Sequence, residues 1–164
     1  MKKVYVSWND AQKQVQELVR QMWLDRWTPD YVVGITRGGL IPANLISQYL
    51  DCRMETLQVR LRDGVEDECE SNFWMAEDAA NSKNILIVDD INDSGATLNW
   101  IKKDWESGIR AADWNAIWGS NVRIATLYDN ETSKCAMDIN YSAEIINKHN
   151  DPQWIVFPWE EWWK

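Results

Sequence analysis

Four consecutive aliphatic residues run directly into carboxylates and then into small hydroxyl-bearing residues: Ile85-Leu86-Ile87-Val88-Asp89-Asp90-Ile91-Asn92-Asp93-Ser94-Gly95-Ala96-Thr97-Leu98. An unbroken apolar run, with no polar alternation, is the pattern of a strand covered on both faces, and a parallel sheet layered between helices provides that cover. In open α/β sheets the carboxyl ends of the strands are where ligands bind. Asp93-Ser94-Gly95-Ala96-Thr97 then opens a helix. Residues of this kind let backbone N–H groups, two hydroxyls and the helix dipole converge on a phosphate. Asp89 and Asp90 repel a phosphate but suit sugar hydroxyls, a Mg²⁺ ion, or both. A phosphorylated sugar is the composite ligand that fits. Each piece alone has an ordinary explanation as a turn or a helix cap; the whole run in order is far more specific than a lone glycine motif.

The rest of the chain supplies the layers. Residues 4–7 read as a short strand, with Ser7 or Asn9 as the cap of a helix whose apolar face is Ala11, Val15, Leu18, Val19, Met22 and Trp23. Thr28-Pro29-Asp30 breaks that helix, residues 31–35 read as a buried strand, and Leu40, Ala43, Leu45, Ile46, Tyr49 and Leu50 mark a second helix. Residues 54–61 alternate as a strand, and residues 122–128 form another. Residues 62–83 begin with Asp63, Glu66, Asp67, Glu68 and Glu70 and read as a long mobile connection with a short helix near 73–80. Residues 89–94 read as a loop, residues 105–121 as a Trp-rich insertion, and residues 150–164 as an aromatic terminal segment. Strands alternating with helices over 164 residues make one α/β domain around a largely parallel twisted sheet.

Charge and composition narrow the function classes. Seventeen basic residues against 26 acidic ones, a net charge of −9, leave no basic face for nucleic acid. No apolar stretch approaches the ~20 residues of a membrane span, and Met1-Lys2-Lys3-Val4-Tyr5 has no apolar signal core. Cys52, Cys69 and Cys135 sit at no metal-like spacing, and with His149 as the one histidine a zinc site lacks ligands. A reducing cytoplasm fits these features, with the cysteines as packing residues and His149 at the surface.

The run from Ile85 to Leu98 resembles the phosphoribosyl-pyrophosphate (PRPP) signature of type I phosphoribosyltransferases. Gly34-Ile35-Thr36-Arg37-Gly38-Gly39-Leu40-Ile41-Pro42-Ala43 is similar to the family's pyrophosphate-binding loop, and Trp154-Ile155-Val156-Phe157-Pro158-Trp159-Glu160 to the base-covering hood of its 6-oxopurine branch, the guanine, xanthine and hypoxanthine enzymes. The resemblance extends from Val4 to the end, apart from residues 62–83 and 105–121. The Trp-rich insertion and Trp74-Met75-Ala76-Glu77-Asp78-Ala79 resemble versions carried by bacterial viruses.

What the resemblance implies is a Mg²⁺-dependent enzyme that makes a nucleoside monophosphate and pyrophosphate from PRPP and a free purine. Ser94, Gly95, Ala96 and Thr97 would cradle the 5′-phosphate; Asp89 and Asp90 would hold the ribose hydroxyls and the Mg²⁺ shell. Asp93 would sit near N7 of the purine as the proton-transfer group. Thr36, Arg37 and Gly38 would bind pyrophosphate largely through backbone, in a loop that often carries a non-proline cis peptide. Trp154 would stack on the base, and the Ile155 backbone would read its edge. Arg60 and Arg62 are candidates to reach the pyrophosphate. The family commonly forms dimers or tetramers.

Two positions depart from the pattern. Ser94 replaces a more frequent Thr, and the lysine that usually follows the strand at 122–128 and donates to the purine 6-oxo group is replaced by Asp129 or Asn130. Asn130 can both donate and accept, so it predicts weakened selection at position 6 unless Lys134 swings in. A non-catalytic regulator that senses PRPP or nucleotides with the same fold is the alternative; the acidic charge, Asp93 and the hood segment weigh against it. The hood segment also weighs against a pyrimidine substrate.

Overall fold

The computed structural model describes residues 1–62, 65–70 and 72–164; Asp63, Gly64 and Ser71, which belong to the segment read above as a mobile connection, lie outside the described residues. The elements follow in the order β1 (Lys2–Tyr5), α1 (Trp8–Leu24), β2 (Tyr31–Thr36), α2 (Leu40–Leu50), β3 (Arg53–Arg62), β4 (Val65–Cys69), α3 (Phe73–Ala80), β5 (Ile85–Asn92), α4 (Ala96–Gly108), β6 (Val122–Asn130), β7 (Tyr141–Ile146) and β8 (Gln153–Val156). Six strands form one sheet in the order β4-β3-β2-β5-β6-β7. All its pairings are parallel except β3 with β4. Strands β1 and β8 pair in parallel as a separate two-stranded sheet, the hood.

The apolar run of β5 explains the layering. Leu86 and Val88 face a cluster that contains Val15, Leu18 and Met22 of α1 and Ala43 and Ile46 of α2. Ile85 and Ile87 face the opposite layer, with Met75, Ala76 and Ala79 of α3 and Leu98, Ile101 and Trp105 of α4. All four strand residues are fully buried, and each such side chain contributes roughly 1.5–3 kcal/mol of transfer free energy. Ser7 caps α1 in a reciprocal box, its hydroxyl accepting from the Asp10 N–H at 3.0 Å while the Asp10 carboxylate accepts from the Ser7 N–H at 3.2 Å.

The direction of the crossovers creates the cleft. From β2 the chain passes through α2 to β3 on one side, whereas from β5 it passes through α4 to β6 on the other. Because β2 and β5 are neighbours, the two crossovers diverge and leave a crevice above their carboxyl ends, the switch point at which such sheets bind ligands. The hood closes one side of it. Tyr128 at the end of β6 packs edge-on against Phe157, which stacks on Trp159 at 5.1 Å, and Gln14 donates to the Tyr128 hydroxyl at 3.2 Å.

Several elements differ from the sequence reading. Within residues 62–83, Val65–Cys69 forms an antiparallel edge strand on β3 with a bulge at Arg60/Leu61. Its run Glu66-Asp67-Glu68 has no apolar alternation to betray a strand; charged residues are what blunts an exposed sheet edge. Two of those acids are paired: Asp67 with Arg60 at 3.5 Å and Arg62 at 3.6 Å, and Glu68 with Arg60 at 3.6 Å. Strand β5 runs on through Asp89 to Asn92, where a loop was expected, because β6 continues to pair with it as far as Asn92↔Asp129. Strand β7, unforeseen, covers the far edge of β6.

The Trp-rich insertion is a packing device. Trp105 is fully buried and stacks on Trp118 at 5.6 Å, which stacks on Trp114 at 5.8 Å. The Trp118 and Trp114 indoles donate to Glu106 and to the Ile109 carbonyl, both at 3.0 Å. Truncation of a buried aromatic costs ~3–5 kcal/mol, so Trp105→Ala is expected to lower the free energy of unfolding by about that amount in a denaturant titration. A loss below ~1 kcal/mol would show that the insertion rearranges to refill the space.

Candidate active site

The two ends brought together at the switch point are those of β2 and β5. After β2, the Thr36–Arg37 peptide is cis, and the chain turns through Gly38 and Gly39 into α2. A Cβ on Gly38 would lie 2.2 Å from Asp90 Oδ2, and one on Gly39 2.2 Å from the Val88 carbonyl oxygen. No other residue lets the β2 loop lie this close to the β5 carboxylates. Thr36, Arg37, Gly38, Asp90, Ser94 and Thr97 share the walls of a cavity of about 1190 Å³.

Asp90 lines this cavity, and Asp89 precedes it on β5. Both residues are partly buried. Burial, and then the adjacent Asp90 charge, push Asp89 well above the usual carboxylate range. Burial raises Asp90 as well, opposed by hydrogen bonding from Asp89, by nearby backbone N–H groups and by the Trp159 indole. Asp89 Oδ1 accepts from the Asp90 N–H at 2.9 Å. Trp159 Nε1 is buried with no partner that satisfies hydrogen-bond geometry, yet it lies near enough to Asp90 to favour its charge. Glu160, on the same wall, is also raised, by burial and then by Asp90. Among the described residues neither Asp89 nor Asp90 forms an ion pair, although Arg37 and Arg60 line the same cavity.

The start of α4 forms the next stretch of the site. Gly95 adopts φ +90°, and a Cβ there would strike the backbone of Cys135 at 2.4 Å, so this turn needs glycine on both counts. The Ala96 N–H points to Ser94 Oγ at 3.3 Å, and the Ser94 carbonyl accepts from the Lys134 N–H at 2.8 Å. Lys134, the sequence candidate for a swinging donor, is exposed, with its carbonyl held by Asn99 at 2.9 Å. It belongs to the rim of the Ser94–Thr97 turn.

Beyond Asp93 lies the hood. Trp154 is half exposed, and Ile155 is buried with its backbone in a strand whose second edge is unpaired. Asn130, expected to face a base, is committed elsewhere: its Nδ2 donates to the Asp93 carbonyl at 3.0 Å, and its Oδ1 accepts from the Thr132 hydroxyl at 2.9 Å and the Lys148 N–H at 3.0 Å. It is a bracket, buried because every polar atom has a partner. Asp129 accepts from Asn92 at 2.9 Å. The residue that the sequence reading missed is Lys148, two positions past β7. Its Nζ lies 3.0 Å from Asp93 Oδ2 and 5.3 Å from the centre of the Trp154 ring. Nothing in local spacing announces it, because the contact exists only once β7 lies beside β6.

The profile of the phosphoribosyl transferase domain family matches residues 5–164. The chain belongs to the phosphoribosyltransferase family. It is 31% identical to a xanthine-guanine phosphoribosyltransferase of Cereibacter sphaeroides, over 95% of this chain and 86% of that one. It is 22% identical to xanthine phosphoribosyltransferase 1 of Saccharomyces cerevisiae, over 96% and 90%. A crystal structure of a purine phosphoribosyltransferase from Pyrococcus horikoshii superposes with a TM-score of 0.70 at 26% identity, covering 98% of this chain and 96% of the other. The layered, largely parallel sheet expected from the sequence is thus the fold of this family.

The strained electrostatics of this phosphoribosyltransferase's cleft predict its pH behaviour. Asp89 is raised on folding, so the folded chain holds a proton that the unfolded chain releases at lower pH. The ligand-free fold therefore loses stability as pH climbs from the ordinary carboxylate range through the elevated Asp89 value. Asp89→Asn keeps the acceptor for the Asp90 N–H and removes the titration. It is expected to raise the Tm of the ligand-free protein at pH 7.5 and to flatten its dependence on pH, as followed by calorimetry. An unchanged Tm at pH 7.5 would mean that solvent in the cleft already relieves the buried charge.

Proposed function

We propose that this chain is a purine phosphoribosyltransferase that joins PRPP to a free 6-oxopurine and releases pyrophosphate. The observation that carries the reading is the placing of Asp93 between the Ser94–Thr97 turn and the Trp154 face, with Asp89 and Asp90 beside them. A ligand with a phosphate at one end and an aromatic ring at the other would span those features with its sugar over the carboxylates. The names of the relatives, enzymes for xanthine and guanine, favour the same substrate class.

The residues divide the work as follows. The N–H groups at the start of α4, with the Ser94 and Thr97 hydroxyls, receive the 5′-phosphate. Asp89 and Asp90 accept from the ribose hydroxyls, and their charge tolerates the positive character that the sugar ring gains as the bond to pyrophosphate breaks. The backbone of Thr36, Arg37 and Gly38 receives the leaving pyrophosphate. Asp93 accepts the proton that the purine loses as its nitrogen joins the sugar, a contribution of ~10²–10⁴-fold. Trp154 stacks on the base while the free edge of β8 at Ile155 faces its rim.

Asp89 and Asp90 fit a Mg²⁺ ion. They are hard oxygen donors and, among the described residues, too few for a complete shell, which suits an ion that keeps waters and takes phosphate oxygens from its substrate. When bound, the ion supplies charge stabilisation for the departing pyrophosphate.

The test is incubation with PRPP, Mg²⁺ and a panel of guanine, hypoxanthine, xanthine, adenine, uracil and orotate, with nucleotide and pyrophosphate both measured. The expected products are 6-oxopurine nucleotides with stoichiometric pyrophosphate. Their absence with every purine would refute the reading. Excess chelator is expected to abolish turnover, and full activity in its presence would remove Mg²⁺ from the scheme. A second expectation concerns Trp154→Ala: loss of one stacked face raises KM for the base by about 5–150-fold, equivalent to ~1–3 kcal/mol, with KM for PRPP little changed.

A further inference from the structure

The purine reading leaves one question open: which group selects the substituent at position 6, given that Asn130 has replaced the lysine the family resemblance implies there. We propose that Lys148, delivered from the end of β7, reads the 6-oxo group of the base. The inference rests on the purine phosphoribosyltransferase reading and adds to it a specificity-determining residue.

Three observations converge. The Lys148 side chain is only 14% exposed, and its ammonium ends 3.0 Å from the Asp93 carboxylate and 5.3 Å from the centre of the Trp154 ring. An ammonium so placed has lost most of its water and is held between an anion and an aromatic face. Next, its backbone is pinned. Asn130 Oδ1 accepts from the Lys148 N–H at 3.0 Å, and Asn130 Nδ2 donates to the Asp93 carbonyl at 3.0 Å, so one amide ties together the main chains that carry the two charged groups. Last, the reach is built into the sheet: β6 and β7 pair in parallel up to Asn130↔Ile146, which sets Lys148 just past the carboxyl end of the neighbouring strand. The amide at 130 has become the bracket for a cation that arrives from next door.

The chemistry follows from hydrogen-bond polarity. A ring stacked on Trp154 takes the place of the ammonium over that face and moves it to the ring's edge, while the pair with Asp93 keeps it beside N7. Position 6 is the next substituent along that edge. Lysine can only donate and a 6-oxo group can only accept, the polarity by which Lys and Arg read the O6 of guanine in nucleic acids. Adenine instead points an amino group at the ammonium, which leaves donor facing donor. Selection at position 6 is therefore retained in this chain, through a lysine remote in sequence from the usual one.

The experiment measures kcat/KM for hypoxanthine and adenine, with PRPP and Mg²⁺, in the native protein, Lys148→Met and Lys148→Arg. The native protein is expected to favour hypoxanthine by at least ~10²-fold, since a site built around a specific polar partner strongly rejects the analogue that lacks it. In Lys148→Met the preference should shrink to within about tenfold, through loss of hypoxanthine activity with adenine activity held or raised, and Lys148→Arg should keep most of it. If Lys148→Met lowers both bases equally, the lysine only positions Asp93 and the proposal is overturned. A native protein that uses adenine as well as hypoxanthine overturns it without any variant, so a folding failure of Lys148→Met does not shield it. A native protein that converts no purine at all refutes the purine reading itself, a result distinct from either.

Discussion

Two adjacent carboxylates at the end of a fully buried strand set the terms for everything around them. Asp89 and Asp90 follow Val88 directly, and the sheet that buries Ile85, Leu86, Ile87 and Val88 carries their charge into a protein-walled cleft. Burying that charge is unfavourable. The neighbours concede to it: Gly38 gives up its side chain so that Asp90 has room, the Trp159 indole lies near enough to favour the charge of Asp90, and Glu160 shares in the raised affinity for protons. Under the proposed function, substrate and cation would complete that balance. Binding energy is then realised where the chemistry happens.

The hood is held to the sheet by the same economy of means. Phe157 and Trp159 stack on each other, Tyr128 meets Phe157 edge-on, and Val4, Ile155 and Phe157 join the core cluster that α1 shares with the sheet. A two-stranded sheet alone is marginal in water; here aromatic packing supplies the missing stability, and Trp154 is left half exposed next to Lys148 and Asp93. The Trp-rich stretch after α4 works in the opposite sense. Its indoles stack on one another against the far layer and add rigidity there.

Legibility followed locality. The apolar run of β5 marks its own burial, so the layered fold was readable, and Leu40–Leu50 emerged with the bounds its spacing predicts. The edge strand Val65–Cys69 was not readable, since edge strands are kept from aggregating by the very charges that erase the alternation. Strand β7 escaped for a related reason: Tyr141-Ser142-Ala143-Glu144-Ile145-Ile146 has a mixed pattern, and what makes it a strand is the open edge of β6 beside it. At the site, Thr36 to Gly38 and Asp89 to Thr97 were visible as motifs because backbone-built anion sites need consecutive small residues in a set order.

By itself, then, the sequence determined the layered α/β class, the capped first helix, the two loops that meet at the switch point and the acidic, phosphate-compatible character of their junction. Each depends on neighbours within about ten residues, and periodicity and turn chemistry encode such relations directly. Only the tertiary structure decided what stands between Asp93 and Trp154. Lys148 lies 55 residues from its ion-pair partner, and Asn130 lies 37 from the carbonyl it holds. No local pattern records either distance. They are closed by the parallel pairing of β5, β6 and β7, because strands that share one direction bring all their carboxyl ends to the same edge of the sheet.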